Sequence, residues 1–342
     1  MANNYDVNKI FDSVSKKYSL SQIAQQLNVN TGTVNRWKTL NKVPENYIFD
    51  LLKMDGQEIN YKDFSFQEKD QFFTSQTVAQ QCIDICFDEL NQYTNINEYT
   101  FIEPSAGNGA FFNLLPEPKI GLDIESNNTE IQIQDFLNYT PPKGKYIVIG
   151  NPPFGLRGQK ALQFIQHAFT FADFVAFILP PLFNSDGKGT PKKRIKQHLI
   201  YTKNLIDNKY FYPDGQQVNV NTIFQIWSKE DFGIDLNETY IPRGYKVYSL
   251  SNGGTPSTTR NADKLDKCDF YLPSTVFGKD KMKLYNSFAE LPQQRGYGII
   301  IEDENVKDII NSIKWDEVAF YSTNNAINLR TSLIVKAIQN FQ

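Results

Sequence analysis

The tetrapeptide Asn151-Pro152-Pro153-Phe154 closes a β-rich run, Tyr146 to Gly150. An asparagine side-chain oxygen and a backbone carbonyl stiffened by consecutive prolines are two hydrogen-bond acceptors aimed one way. Two acceptors take both hydrogens of one exocyclic amine, drawing the nitrogen lone pair out of conjugation and turning it outward. Phe154 adds a face on which the base carrying that amine can stack. No base, thiol or metal ligand set accompanies the motif. The chemistry it suits is therefore amine attack on an electrophilic methyl group, driven by positioning and electrostatics rather than by a covalent intermediate.

A ligand for such a reaction needs its own cradle, and upstream segments offer one. Glu103-Pro104-Ser105-Ala106-Gly107-Asn108-Gly109-Ala110-Phe111 follows the run Tyr99 to Ile102 and opens a helical pattern. Gly107 and Gly109 let backbone pass close to a ligand, but no Gly-Lys-Ser/Thr is present to hold a triphosphate. An acid before the turn, Glu103, argues for a cationic ligand over a pyrophosphate. The next run ends Gly121-Leu122-Asp123-Ile124-Glu125, which puts Asp123 where doubly wound folds bind a ribose diol. Asp135-Phe136 offers a carboxylate to an adenine amino group and a ring to its face.

These segments must be held by a common scaffold. Tyr99 to Glu103, Lys119 to Ile124, Tyr146 to Gly150, Phe174 to Leu179 and Thr222 to Ser228 read as strands. Thr77 to Leu90, Ala110 to Leu115, Lys160 to Phe171 and Arg194 to Asn204 carry helical spacing. That rhythm predicts an α/β fold: a doubly wound, mostly parallel sheet with helices on both faces, and ligands beyond the carboxyl ends of its strands.

Two further blocks flank this one, giving expected domains at 1–62, 63–235 and 236–342. In the first, Leu20, Ile23, Ala24, Leu27, Val29, Val34 and Trp37 fit a helix, a tight turn and a second helix. Ser19 or Ser21 would cap the first helix and Thr31 or Thr33 the second. The second helix would expose Asn30, Thr31, Thr33, Asn35, Arg36 and Lys38, side chains suited to phosphates and base edges. The block resembles the helix-turn-helix family of DNA-binding domains. Asn28 stands where that family usually has a turn glycine, and asparagine tolerates the left-handed conformation. Asn46 to Lys53 reads as one more helix. The last block is turn-rich at Ser251 to Pro256, then mixes short strands with a final helix near Thr331 to Phe341.

The chain has 342 residues, 40% apolar and 21% charged, with a net charge of −3. That excludes disorder and a uniformly basic coat, so any nucleic-acid contact must rest on local charge. Three cysteines without a C-x-x-C pair make neither a disulfide framework nor a thiolate zinc site, and point to a reducing cytoplasm. Cys82 and Cys86 read as core residues. His167 and His198 are the only histidines, too few for a histidine-rich metal centre. The apolar run Phe174 to Phe183 is far too short to span a bilayer, so no membrane association is expected.

Residues 68–230 resemble the catalytic domain of the S-adenosylmethionine-dependent adenine-N6 DNA methyltransferases, in the gamma order of motifs. The resemblance rests on Gln71-Phe72-Phe73-Thr74-Ser75, the glycine turn and Asn-Pro-Pro-Phe, in that sequence. It implies a Rossmann-like methyltransferase sheet, an N-terminal all-α helix-turn-helix domain and a C-terminal α+β target-recognition region. It implies that Phe73 and Thr74 contact the methionine end of S-adenosyl-L-methionine, that Glu103, Ala106, Gly107, Asn108 and Gly109 line its path, and that Asp123 takes the ribose hydroxyls. Asp135 and Phe136 would hold its adenine. Asn151 and the Pro152 carbonyl would bind the target amine with Phe154 packed on the base, and Tyr212 would face it from the other side. Thr74-Ser75 departs from the family's usual Thr-Pro.

An amine buried in double-stranded DNA reaches such a pocket only by base flipping, which needs phosphate contacts. Between Asp186 and Lys209 lie Lys188, Lys192, Lys193, Arg194, Lys196, Lys203 and Lys209 against Asp186 and Asp207, a local charge of +5. Gly187-Lys188-Gly189 suggests a loop ordered by DNA, and Arg157 and Lys160 follow the Asn-Pro-Pro-Phe loop closely enough to meet the target phosphate. The expected function is a site-specific DNA methyltransferase, the modification half of a restriction-modification system, with a cognate endonuclease as candidate partner. The alternatives are an RNA or protein-glutamine N-methyltransferase, or an inactive methyltransferase-fold regulator that binds DNA.

Overall fold

Long apolar runs in the middle of the chain can be buried only if both faces of a sheet are covered, and this arrangement organises the fold. The structure is a computed structural model that describes residues 5–66, 68–69, 71–126, 128–185, 190–205, 209–236, 240–255, 258–322 and 325–341. The Gly187-Lys188-Gly189 segment lies outside them. Two compact units are present, Met1–Ile234 and Asp235–Gln342.

Unit 1 begins with four helices, α1 (Val7–Lys17), α2 (Leu20–Gln26), α3 (Thr31–Leu40) and α4 (Ile48–Asp55). Their shared core includes Phe11, Ile23, Leu27, Val34, Trp37 and Leu51, with Ala24 buried as a small residue. Ser19 caps α2 through a reciprocal capping box with Gln22. The expected caps at Thr31 or Thr33 are corrected: Asn30 caps α3 by accepting the Gly32 amide at 2.8 Å. Asn28 takes φ 56° in the turn. The amides of Asn28 and Val29 bond back to Gln25 and Ala24, a Schellman closure that needs this left-handed residue.

The described residues then add β1 (Phe73–Thr74), α5 (Gln76–Leu90), β2 (Thr100–Glu103), β3 (Lys119–Asp123), β4 (Ile131–Ile133), β5 (Tyr146–Gly150), α6 (Gln159–Ala168), β6 (Phe174–Leu179), β7 (His198–Leu205), β8 (Lys209–Phe211), β9 (Gln217–Asn219) and β10 (Thr222–Ser228). Seven of these strands pair in the order β4-β3-β2-β5-β6-β10-β7. The five from β4 to β6 are parallel, whereas β10 runs antiparallel to both β6 and β7. The fold is thus the α/β, doubly wound, mostly parallel sheet that the alternation predicted. Side chains alternate between two cores: Ile147, Ile149, Ala176 and Ile178 face α5, and Val148, Val175, Phe177 and Leu179 face α6.

Two expected helices are corrected. Arg194 to Asn204 is a short 3-10 turn (Pro191–Arg194) followed by β7, an edge strand whose Ile200 and Leu205 are buried while Lys203 and Asn204 are exposed. Ala110 to Leu115 holds only one 3-10 turn, Phe112–Leu114.

Unit 2 is α+β. β11 (Tyr245–Ser251), β12 (Phe270–Pro273) and β14 (Arg295–Ile301) form one sheet, and β13 (Thr275–Val276), β15 (Phe320–Tyr321) and β16 (Ile327–Asn328) a second. α7 (Asn305–Ser312), α8 (Trp315–Val318) and α9 (Thr331–Gln339) share a core with them around Leu272, Ile299, Ile310 and Ile338. No described helix is long and apolar enough to cross a membrane.

Candidate active site

Chain order in the sheet reverses between β2 and β5, and a crevice opens at the carboxyl ends of strands flanking such a switch point. The glycine turn leaves β2 there, and Asn151-Pro152-Pro153-Phe154 leaves β5 beside it. The Ser105 hydroxyl donates to the Asn151 carbonyl at 3.0 Å and ties the two loops together. The Phe154 carbonyl accepts the amides of Lys160 (3.1 Å) and Ala161 (3.3 Å), which fixes the loop to the start of α6.

Asn151 is held from its other side by β1. Thr74 is buried, and its hydroxyl accepts the Asn151 Nδ2 hydrogen at 3.2 Å. Asn151 Oδ1 is itself buried yet has no hydrogen-bond partner among the described residues. An orphan acceptor of this kind costs about 1–3 kcal/mol, so a ligand that brings a donor recovers that free energy. Ser75, where the resembling family favours proline, caps α5 by accepting the Val78 amide.

Two hollows meet at Asn151. The smaller, about 280 Å³ with open solvent included, is lined by Phe72, Asn151, Pro152, Phe154, Tyr210, Val220 and Thr222. The larger, about 1290 Å³ and partly open to solvent, runs from Asn151 and Phe73 past Gly107 and Asp123 to Asp135 and Phe136. Among the described residues only Phe72 and Asn151 line both. Aromatic walls around one hollow suit a flat base, while five acids (Asp50, Glu68, Asp123, Glu125, Asp135) against three lysines (Lys53, Lys69, Lys160) make the other suit a cation.

Carboxylates set the electrostatics of the larger cleft. Asp123 accepts the amides of Gly107 (2.7 Å) and Glu125 (3.0 Å); burial raises its pKa against the pull of those donors. At Asp135 burial acts upward most strongly, but Lys53, 2.5 Å away, the Leu137 amide and Lys160 together offset it and leave the pKa lowered. Lys69 pairs with Glu125 at 2.7 Å and Lys160 with Asp50 at 2.8 Å.

The structure sorts the expected site residues into groups. Phe73, Gly107, Asp123, Asp135, Phe136, Asn151 and Pro153 line the larger cleft. Phe136 does so at its edge only, because its ring is buried among Phe164, His167 and Phe171. Thr74, Glu103, Ala106, Asn108 and Gly109 do not line it. The Glu103 carboxyl is buried behind the turn, accepts the Phe112 amide at 2.6 Å, and is raised well above its ordinary pKa by burial and then by Asp123. Tyr212 does not line the small hollow either; its ring packs at 5.2 Å on Phe72, which does.

The basic residues part company in the same way. Arg194 is not free to meet DNA: its guanidinium bonds to the carbonyl and side chain of Asn28 and, at 3.1 Å, to Gln159, so it ties the α2–α3 turn to α6. Lys160 is held by Asp50. Arg157 and Lys193 are exposed, Lys192 is half-buried, and Asn35 and Arg36 are exposed on α3. Among the described residues no group of three or more His, Cys, Asp or Glu is placed to hold a metal.

No protein-family model matches the chain, and no curated protein does. Among solved structures, it is similar to a putative class I S-adenosylmethionine-dependent methyltransferase from Listeria monocytogenes. That match has 12% identity over 68% of this chain and 90% of that one, with a TM-score of 0.37. A putative RNA methyltransferase from Pyrococcus horikoshii aligns at 14% identity over 44% and 83% of the two chains, TM-score 0.33. A Thermoplasma acidophilum protein aligns at 16% over 46% and 89%, TM-score 0.33. These likenesses concern the fold alone.

Sequence reasoning missed Phe72, Tyr210, Val220 and Thr222 in the small hollow, and Phe49, Lys53 and Tyr61 in the large one. Phe72 adjoins a residue that was found, and its aromatic character was the available signal. Tyr210 comes into place only through the pairing of β1 with β8, which sets Thr74 opposite it.

Proposed function

We propose that this chain is an S-adenosylmethionine-dependent methyltransferase that methylates the N6 amine of a flipped adenine in double-stranded DNA. One observation carries the reading: the unpartnered Oδ1 of Asn151 lies where an aromatic hollow fit for a base meets an acidic cleft fit for a sulfonium cofactor. When bound, the cofactor supplies an electrophilic methyl group. The chain's own residues do the positioning. Asn151 Oδ1 and the Pro152 carbonyl each accept one hydrogen of the target amine, Thr74 steadies the amide, and Phe154 and Phe72 hold the base plane.

Residues that fit the cofactor are Phe73 and Gly107 along its methionine end, Asp123 for the ribose diol and Asp135 for the adenine amine. Duplex DNA is favoured as substrate by the exposed Thr33, Asn35, Arg36 and Lys38 of α3, which follows α2 through a Schellman-closed turn. The test is transfer of labelled methyl from S-adenosylmethionine to duplex DNA, RNA and protein offered in parallel. N6-methyladenine in the DNA is the expected product. Label on RNA or glutamine would reassign the substrate, and no transfer to any of them would remove the enzymatic reading.

A further inference from the structure

The larger cleft draws its walls from two separate stretches of unit 1. One is the set of strand ends and the glycine turn. The other is α4 with the turn after it, where Phe49, Asp50 and Lys53 occupy positions i, i+1 and i+4 and present one helical face to the cleft. Tyr61 joins them; its ring lies 5.6 Å from Phe49, which is packed in turn at 4.6 Å on buried Phe64. Two ion pairs bind this wall to the sheet side, Lys53 to Asp135 and Asp50 to Lys160. Lys53 Nζ sits 2.5 Å from Asp135 Oδ2, while Oδ1 accepts the Leu137 amide at 3.1 Å.

We propose that the N-terminal helical domain is itself part of the cofactor site: Phe49 and Tyr61 wall the adenosine end, and Lys53 holds Asp135 as an acceptor that selects the adenine 6-amino group. The proposal rests on reading the larger cleft as the cofactor site, and goes beyond it by giving a specificity role to helices that the sequence suggested for DNA binding. An ionised carboxylate can only accept hydrogen bonds. It favours adenine, whose 6-position donates, and repels hypoxanthine, whose 6-position is a carbonyl oxygen. Without Lys53 the carboxyl keeps only the Leu137 amide, Asn138 and the more distant Lys160, so it is held less firmly ionised and in place, and its discrimination against a 6-carbonyl weakens. Lys53 is thus a positioning residue acting through Asp135. A wholly structural role would weaken both ligands alike.

Calorimetric titration of the full chain with S-adenosylhomocysteine and S-inosylhomocysteine separates these possibilities. The wild-type protein should favour the adenosyl compound by about tenfold or more, the range for one hydrogen bond to a charged acceptor. In Lys53→Met the adenosyl affinity should fall about tenfold and the preference should collapse, while Lys53→Arg restores it. If Lys53→Met does not fold by circular dichroism, Lys53→Gln carries the same comparison. A lysine-free variant that keeps the wild-type preference, or that loses affinity equally for both compounds, overturns the proposal and leaves the cofactor reading standing. Wild-type protein that binds neither compound removes that reading, and this proposal with it.

Discussion

Gly107 and Gly109 provide a paired perturbation in which one position faces the cleft and the other does not. Both have positive φ, 52° and 81°. Alanine at either site therefore costs about 1–2 kcal/mol of backbone strain. In a unit of this size each kcal/mol lowers Tm by about 2–4 °C, so both variants should melt about 2–8 °C below the wild type. Their surroundings differ. A Cβ on Gly107 would stand 2.9 Å from the ring of Phe73, which walls the cleft, whereas a Cβ on Gly109 meets only the exposed side chain of Asn113 at 3.0 Å. Asn113 can swing away into solvent, but Phe73 must shift within the cleft. An aromatic contact is worth about 0.5–1.5 kcal/mol, so Gly107→Ala should weaken S-adenosylhomocysteine binding by up to about tenfold. Gly109→Ala should bind it as the wild type does. The assays are thermal denaturation and calorimetric titration of both variants side by side. Equal cofactor affinity in the two, at equal loss of stability, would refute the placement of the methionine path along Gly107 and Phe73.

Glu103→Gln should stabilise the protein at neutral pH. The folded-state pKa of Glu103 is raised, so the wild type is most stable below the unfolded value of about 4.3 and loses stability as pH rises from there toward the folded value. Chemical denaturation across pH should show the variant's advantage fading below about pH 4. Arg194→Met should cost about 1–2 kcal/mol of stability, because it breaks the tie between Asn28 and Gln159, with little change in the salt dependence of DNA binding. Arg36→Ala should do the reverse, leaving Tm unchanged and reducing the slope of log K against log salt by about one. Filter binding at several salt concentrations, with melting curves, distinguishes the pair.

Where burial is continuous, the sequence was easy to read. Phe174–Leu179 and Thr222–Ser228 are buried throughout and bounded by turn signals, so their ends were legible to the residue. Edge strands were not. Ile131–Ile133 is three residues long with Ile133 71% exposed, and His198–Leu205 is paired along one edge only. In the latter, the run from Arg194 to Asn204 read as helical, and pairing with β10 overrode it. Asn151 stood out in the sequence because its chemistry travels with neighbouring prolines. Lys53 could not, since it acquires meaning only through Asp135, 82 positions away. Glu103 shows the opposite failure. Its position at the end of a strand, before the glycine turn, suggested a ligand contact, yet its carboxyl turns inward to the Phe112 amide.

The central claim is that Asn151 Oδ1 accepts a hydrogen of the target amine. It is tested most directly by single-turnover methyl transfer to duplex DNA with saturating S-adenosylmethionine, comparing wild type with Asn151→Ala. Loss of one preorganised group at the reacting centre should lower the rate about 10²–10³-fold while cofactor affinity stays within about twofold. Transfer by Asn151→Ala at the wild-type rate would contradict the account.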